Sequence, residues 1–224
     1  MKTDHILGKQ IQKLLFDHNL ENPIMNHIVD NWNNNDYQLE LQDIFQQFLI
    51  KLGLDLNNHS IINTPKRVIE FFIKELFYGL DYKNFPKISL NPNSFNYHTP
   101  IISKAITVRS TCEHHLVSIN GSAVIAYIPS ANIVGLSKLN RVVDFFARRP
   151  QVQERLTRQI LVTLQNILQT ENVAVAINAS HNCIVIRGVE NPNSETLTME
   201  LGGEFLSNVD YKNMFLNLST QLTI

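Results

Sequence analysis

The feature that most restricts this chain is a pair of short Cys/His clusters that must meet in space. Cys112 and His115 form a Cys-x-x-His pair within Ser110-Thr111-Cys112-Glu113-His114-His115, and His181 and Cys183 form a His-x-Cys pair far downstream. The chain has only 2 cysteines, and both lie in these pairs. Thiolate and neutral imidazole are ligands that zinc prefers, and two short pairs closing a loop make a usual zinc framework. The plainer alternative is two buried thiols with coincidental neighbours, since free cysteine is among the most buried residue types. Cys112 and His115 can converge from a turn. If 181–183 is extended, His181 and Cys183 point to one face, because side chains alternate along a strand. Two sites stay open on this spacing. One is a closed structural zinc with all four ligands. The other is an open site in which three bind and water takes the fourth position. Only the open site does chemistry, by lowering the pKa of bound water from about 15.7 toward about 7. His114 and the unused imidazole are then the candidate proton-transfer groups.

The rest of the chain predicts an α+β protein. Helical spacing puts Leu41, Ile44, Phe45, Phe48, Leu49 and Leu52 on one face, with Gly53 as the stop. A weaker helix surrounds Ile6, Leu7, Ile11, Leu14 and Leu15, and Trp32 to Asp36 reads as a loop. A third helix has Thr64 as N-cap, Pro65 in its first turn, a Val68/Phe72/Leu76 stripe and Gly79 as its end. Pro86, Pro92 and Pro100 then mark a crossing to strands, so the expected division is a helical region, 1–100, and a second domain, 101–224. Ala105 to Arg109 is a strand, Asn120-Gly121 reads as a hairpin turn, and Ala123 to Ile128 returns. A short strand at Ile133 to Leu136 leads into a helix from Ser137 to Arg148. After Pro150 a second helix buries Val152, Leu156, Ile160, Leu164 and Ile167. Val173 to Ala179 and Ile184 to Val189 are β-branched runs expected to pair as strands, Glu195 to Phe205 adds another, and a short helix surrounds Phe215. The layers expected are an antiparallel sheet with two helices on one face.

Charge adds a local signal. From Ser137 to Arg187 there are seven Lys/Arg and three Asp/Glu, a balance of +4 in a chain of net charge −1. This fits a local anionic ligand better than a nucleic-acid track, although a solvated helix face would look the same. No apolar run is long enough to span a bilayer, and the N-terminus lacks the pattern of a secretory signal, so no membrane or nucleic-acid partner is expected and the cytoplasm is the expected setting. Thiols flanked by histidines fit a reducing compartment. The zinc deaminase pattern, His-Glu-x-x-His and both glycine-rich nucleotide loops are absent. A phosphate would therefore be held by side chains.

Several motifs together resemble the GTP cyclohydrolase I family. They are Thr111-Cys112-Glu113-His114-His115, Gly135-Leu136-Ser137-Lys138, the run from Arg148 to Thr157, and His181-Asn182-Cys183 with Arg187-Gly188. Thr64-Pro65-Lys66-Arg67, Gly79-Leu80-Asp81-Tyr82 and Leu201-Gly202-Gly203 extend the likeness over roughly residues 40–205. The resemblance implies a zinc enzyme that turns GTP and water into 7,8-dihydroneopterin triphosphate and formate, the first step of pterin and folate biosynthesis. It implies Zn2+ on Cys112, His115 and Cys183, with His181 and His114 left as acid/base groups and Ser137 assisting near the ribose. Glu154 would anchor guanine, with Gln153 helping to hold the base and acting in catalysis. Lys138, Arg141, Arg187 and Arg67 would clamp the triphosphate. Arg67 can instead be a surface pair, and Glu154 can instead pair with Arg158 at i, i+4. Arg148, Arg149 and Arg155 read as structural or intersubunit residues. The implied architecture is the tunnelling fold, in a homodecamer of two pentameric rings with sites between subunits. Thr198-Met199-Glu200 and the tail from Leu216 to Ile224 depart from the family pattern, and neither carries a role in this assignment. The rival readings are a non-catalytic module with a closed structural zinc, and another tunnelling-fold enzyme.

Overall fold

The computed structural model describes residues 2–222. Of the tail set apart in the sequence, Thr223 and Ile224 lie outside the described residues, as does Met1. Its helices are α1 (His5–Asp17), α2 (Asn26–Val29), α3 (Asn35–Lys51), α4 (Thr64–Phe71), α5 (Leu136–Ala147), α6 (Gln153–Leu168), α7 (Asn182–Val185), α8 (Glu204–Ser207) and α9 (Val209–Ser219). The strands are β1 (Leu90–Pro92), β2 (Ile101–Cys112), β3 (Ser118–Tyr127), β4 (Asn132–Val134), β5 (Pro150–Gln151), β6 (Val173–His181) and β7 (Thr196–Leu201). The main sheet runs β5-β2-β3-β6-β7, and β1 and β4 form a separate two-stranded ribbon. All main-sheet pairs are antiparallel except the two-residue β5, which lies parallel to the end of β2.

One sheet face carries Ile106, Val108, Ile125, Tyr127, Val175 and Ile177, which pack with α5, α6 and α1 into the main core. The α6 stripe forms as its periodicity predicts, with Leu156, Ile160 and Leu164 all buried. The opposite face is not bare. Val124, Ala126, Ala174 and Ala176 are sealed by Phe205 of α8 and Phe215 of α9, so helices cover both faces at this end. Small alanines on that face let the two rings approach the sheet.

Several expectations change. Asn120-Gly121 is not a turn. Both residues sit inside β3, opposite Arg109 and Val108 of β2 and Ser180 and Ala179 of β6. Glycine is needed there because a Cβ would lie 2.1 Å from the Asn178 carbonyl oxygen. The chain reverses instead through Glu113 to Val117, closed by the Leu116 N–H donating to Cys112 O at 2.9 Å and the Cys112 N–H to Val117 O at 2.8 Å. Ile184 to Val189 is not a strand either. Asn182–Val185 forms a helical turn, so 181–183 is not extended and the strand-alternation argument for His181 and Cys183 does not apply. The position capping α4 is Asn63, and Thr64 is its first helical residue. Gly79 lies beyond a π-helical turn (Phe72–Leu76), where its missing Cβ admits the carbonyls of Phe145 and Arg148.

The helical first part divides in two. α1 belongs to the main core, with Ile11 and Leu15 fully buried against it. The expected α3 stripe forms but is largely uncovered: Ile44, Phe48 and Leu52 are 59%, 53% and 62% exposed, and only Leu49 is buried. Within one chain α3 packs chiefly on α4.

Candidate metal centre and its surroundings

The end of β2, the reversal after it and the turn α7 meet at one end of the sheet. There Cys112 Sγ, a His115 ring nitrogen and Cys183 Sγ lie within 4.8 Å of one another. Antiparallel pairing accounts for the approach. Ile119 of β3 faces His181 of β6, so the chain leaving β6 arrives beside the β2–β3 reversal. The helical turn at α7 then sends Cys183 back toward Cys112. Both thiols are free, Cys112 buried and Cys183 partly so. Burial pushes the Cys183 thiol up, and the adjacent Cys112 adds to that shift. Arg187 donates to His115 Nε2 at 2.7 Å. A guanidinium cannot accept, so Nε2 is the acceptor in this contact.

His181 is not in this group. Its Nε2 is 2.6 Å from Gln153 Oε1. The orientation of that amide follows from its other partners: Gln153 Nε2 donates toward Ile177 O at 2.9 Å, Thr196 O at 2.8 Å and Thr198 Oγ1 at 3.1 Å. Flipping the amide would set its oxygen against carbonyls, so Oε1 is the atom facing the imidazole. His181 Nε2 is therefore the donor, and Nδ1 is left to take or give a proton. Burial lowers the His181 pKa, while the Glu154 charge pulls it up.

Gln153 itself is 2% exposed, and its amide is bonded to His181, Ile177, Thr196 and Thr198. Thr198 is part of the same support, because its hydroxyl also meets Thr157 Oγ1 at 2.6 Å. Thr198, set apart in the sequence, thus reaches the surroundings of His181. Glu154 is exposed in the first turn of α6. Its expected helix partner Arg158 binds Glu200 instead, at 2.6 Å, so the i, i+4 alternative fails. Arg155 holds Glu113 Oε2 at 2.7 and 2.9 Å and ties the reversal to α6, while exposed His114 sits within that reversal, its Nδ1 3.8 Å from Cys112 Sγ. Arg148 pairs with Asp144, and Arg149 is fully buried.

The phosphate candidates divide. Arg187 is at the metal group. Ser137, Lys138 and Arg141 lie in the first half of α5, which starts beside β4, where the Val134 N–H donates to Tyr127 Oη at 3.2 Å. Tyr127 faces Ile101, the far end of β2 from Cys112. The twelve residues of α5 span about 18 Å and lead toward β5 beside Cys112, so Ser137 and Lys138 lie about a helix length from that end and Arg141 about half of one. Arg67 is exposed on α4.

Two thiols and one imidazole gathered in this way are a donor set that could hold a metal ion. The GTP cyclohydrolase I family profile matches residues 41–220. A protein named GTP cyclohydrolase 1 from Vibrio parahaemolyticus is 46% identical over 210 residues, covering 94% of this chain and 95% of the relative. Those of that name from Buchnera aphidicola subsp. Schizaphis graminum and Shewanella loihica are 47% and 44% identical, covering 88% and 94% of this chain and 89% and 97% of themselves. The chain belongs to the GTP cyclohydrolase I family. Among the described residues no helix is long and apolar enough to cross a membrane.

Proposed function

We propose that the chain is a zinc-dependent GTP cyclohydrolase I, converting GTP and water to 7,8-dihydroneopterin triphosphate and formate. The observation that carries this reading is the grouping of Cys112, His115 and Cys183 with His181 beside them but bound to Gln153. The donor set fits zinc, with three ligands and an open position. When bound, zinc supplies the Lewis acidity that makes water a nucleophile toward guanine C8 at neutral pH.

The chain's own groups do the rest. His181, oriented through Nε2, offers Nδ1 for protonating the imidazole-ring nitrogen released as the guanine ring opens. His114, exposed in the reversal, is the second proton carrier for the ribose opening, Amadori-type rearrangement and pterin closure. The Glu154 side chain has no hydrogen bond or ion pair among the described residues, so its carboxylate is available to accept from guanine N1 and the 2-amino group together. A purine without those donors would leave the carboxylate unpaired, which is the basis of discrimination. Arg187, Lys138, Arg141 and Arg67 take the triphosphate, and Ser137 lies with Lys138 beside the ribose and phosphates.

Because Ser137 and Lys138 sit about a helix length from the end that carries the thiols of their own chain, the complete site in this reading joins two copies. Among the described residues the outer edge of β2 before Thr111 and the outer edge of β7 have no strand partner. Edge-to-edge closure of the sheets in a ring satisfies both edges and accords with the tunnelling fold. Pairing of two such rings into a decamer would cover the apolar α3 face. Free thiols at the centre accord with a cytoplasmic setting. The test is to incubate purified, zinc-analysed protein with GTP. Formate and, after oxidation and dephosphorylation, fluorescent neopterin are expected; a fully zinc-loaded oligomer that releases neither contradicts the reading.

A further inference from the structure

The strand flanking Cys112 has little ladder to hold it. β5 is two residues long, and one of them is Pro150, which has no N–H to give the ladder. Yet β5 fixes the metal-bearing reversal from one side. Gln151 pairs with Cys112 in register, and Gln151 O accepts from the Glu113 N–H at 3.1 Å. On its other side β5 is held by Asn22, in the stretch between α1 and α2, and by its own Gln151 side chain, which donates to Phe146 O at 3.0 Å.

Asn22 is 5% exposed, and its amide uses all four of its hydrogen-bonding positions. Nδ2 donates to Pro150 O at 2.7 Å and to Gln151 Oε1 at 3.3 Å. Oδ1 accepts from Arg149 Nη1 at 3.1 Å and from Gln159 Nε2 at 3.0 Å. The partners close on one another. Gln151 Nε2 donates to Gln159 Oε1 at 2.8 Å, and Gln159 Nε2 donates to Leu20 O at 2.6 Å. Arg149, wholly buried, lies over the rings of Tyr82, Phe145 and Phe146 and also reaches Gly79 O.

We propose that Asn22 is a positioning residue for the metal centre, acting through β5 to set the reversal that carries Cys112 and His115. The inference rests on the proposed metal centre and goes beyond it. It assigns a role to a segment that precedes the family match at residue 41. Its two halves separate chemically. Asn22→Asp keeps the acceptor oxygen for Arg149 and Gln159, so α1 stays docked, but places a second oxygen against Pro150 O and Gln151 Oε1. The two bonds that Asn22 donates to β5 are the ones lost, while Gln151 Nε2 keeps Phe146 O at 3.0 Å and Gln159 Oε1 at 2.8 Å.

The experiment uses the full chain, loaded with zinc and titrated with a chromogenic chelator. Wild type is compared with Asn22→Asp, Asn22→Ala and Ile11→Val. The last trims a fully buried α1 side chain that makes no bond to β5. Metal-free thermal midpoints are recorded alongside. Both Asn22 variants should bind zinc about tenfold more weakly than wild type, the scale set by outer-shell supports. Ile11→Val should lower the midpoint and leave zinc affinity in place. In turnover, the loss in the Asn22 variants should fall on kcat with KM for GTP unchanged. Zinc affinity within about twofold of wild type in a folded Asn22 variant overturns the proposal. Wild-type protein that fails to take up zinc overturns the metal centre itself, a different result from the same titration.

Discussion

The two groups of residues that the family motifs single out are built in opposite ways. At the Cys112 end of the sheet, side chains are placed by their own chain: Cys112 by the strand ladder, His115 by Arg187, His181 by Gln153 and Glu113 by Arg155. At the start of α5, Ser137, Lys138 and Arg141 have no side-chain partner among the described residues, and Ser137 is exposed. Groups that do chemistry must be held to fractions of an ångström, which takes buried supports such as Gln153. Groups that grip a flexible triphosphate tolerate looser placement. In the proposed function, this difference corresponds to one chain carrying the reacting end and presenting the gripping end to another copy.

The comparison can be broken from either side. Cys183→Ala should cost the most, removing zinc and turnover together, as measured by metal analysis and formate release on one sample. His181→Ala should keep its zinc and lose about 10²–10⁴ in rate, as expected for a proton-transfer group. Loss of zinc in that variant would make His181 a ligand instead. Lys138→Ala should leave metal content and kcat in place and raise KM for GTP about ten- to a hundredfold, the range for a charge-assisted hydrogen bond. Phe215→Ala, far from both groups on the opposite sheet face, should cost about 3–5 kcal/mol of stability in denaturant titration with little change in kcat.

Particular residues show where sequence reasoning succeeds and stops. The Cys-x-x-His and His-x-Cys pairs were legible because few spacings gather soft ligands, and the α6 stripe because its period is 3.6. Spacing could not choose between three ligands and four. Nor does spacing reveal Gln153, whose buried amide reaches across to His181 from another element. Asn120-Gly121 carries a turn signal, yet its glycine answers the close approach of β6, a tertiary cause that local preference does not record. The β-branched run at Ile184 to Val189 coils because the chain must turn Cys183 back toward Cys112. Asn22 carries no signal at all, being one asparagine in a polar loop. The exposed face of α3 was legible as apolar but not as uncovered, since a stripe does not say which surface meets it.

The most direct test of the two-ended account mixes chains. One carries His181→Ala, and the other carries Lys138→Ala with Arg141→Ala. Each is purified alone, and both are co-expressed and purified as mixed oligomers. If each site joins the reacting end of one copy to the gripping end of another, random mixing rebuilds wholly wild-type sites in about a quarter of positions. Measured at GTP well below the wild-type KM, where the raised KM of the gripping-end variant slows it in full, formate release should then rise to about a quarter of the wild-type rate, far above either parent. A mixture that never exceeds the average of its two parents would place both ends of the site in a single chain and contradict the account.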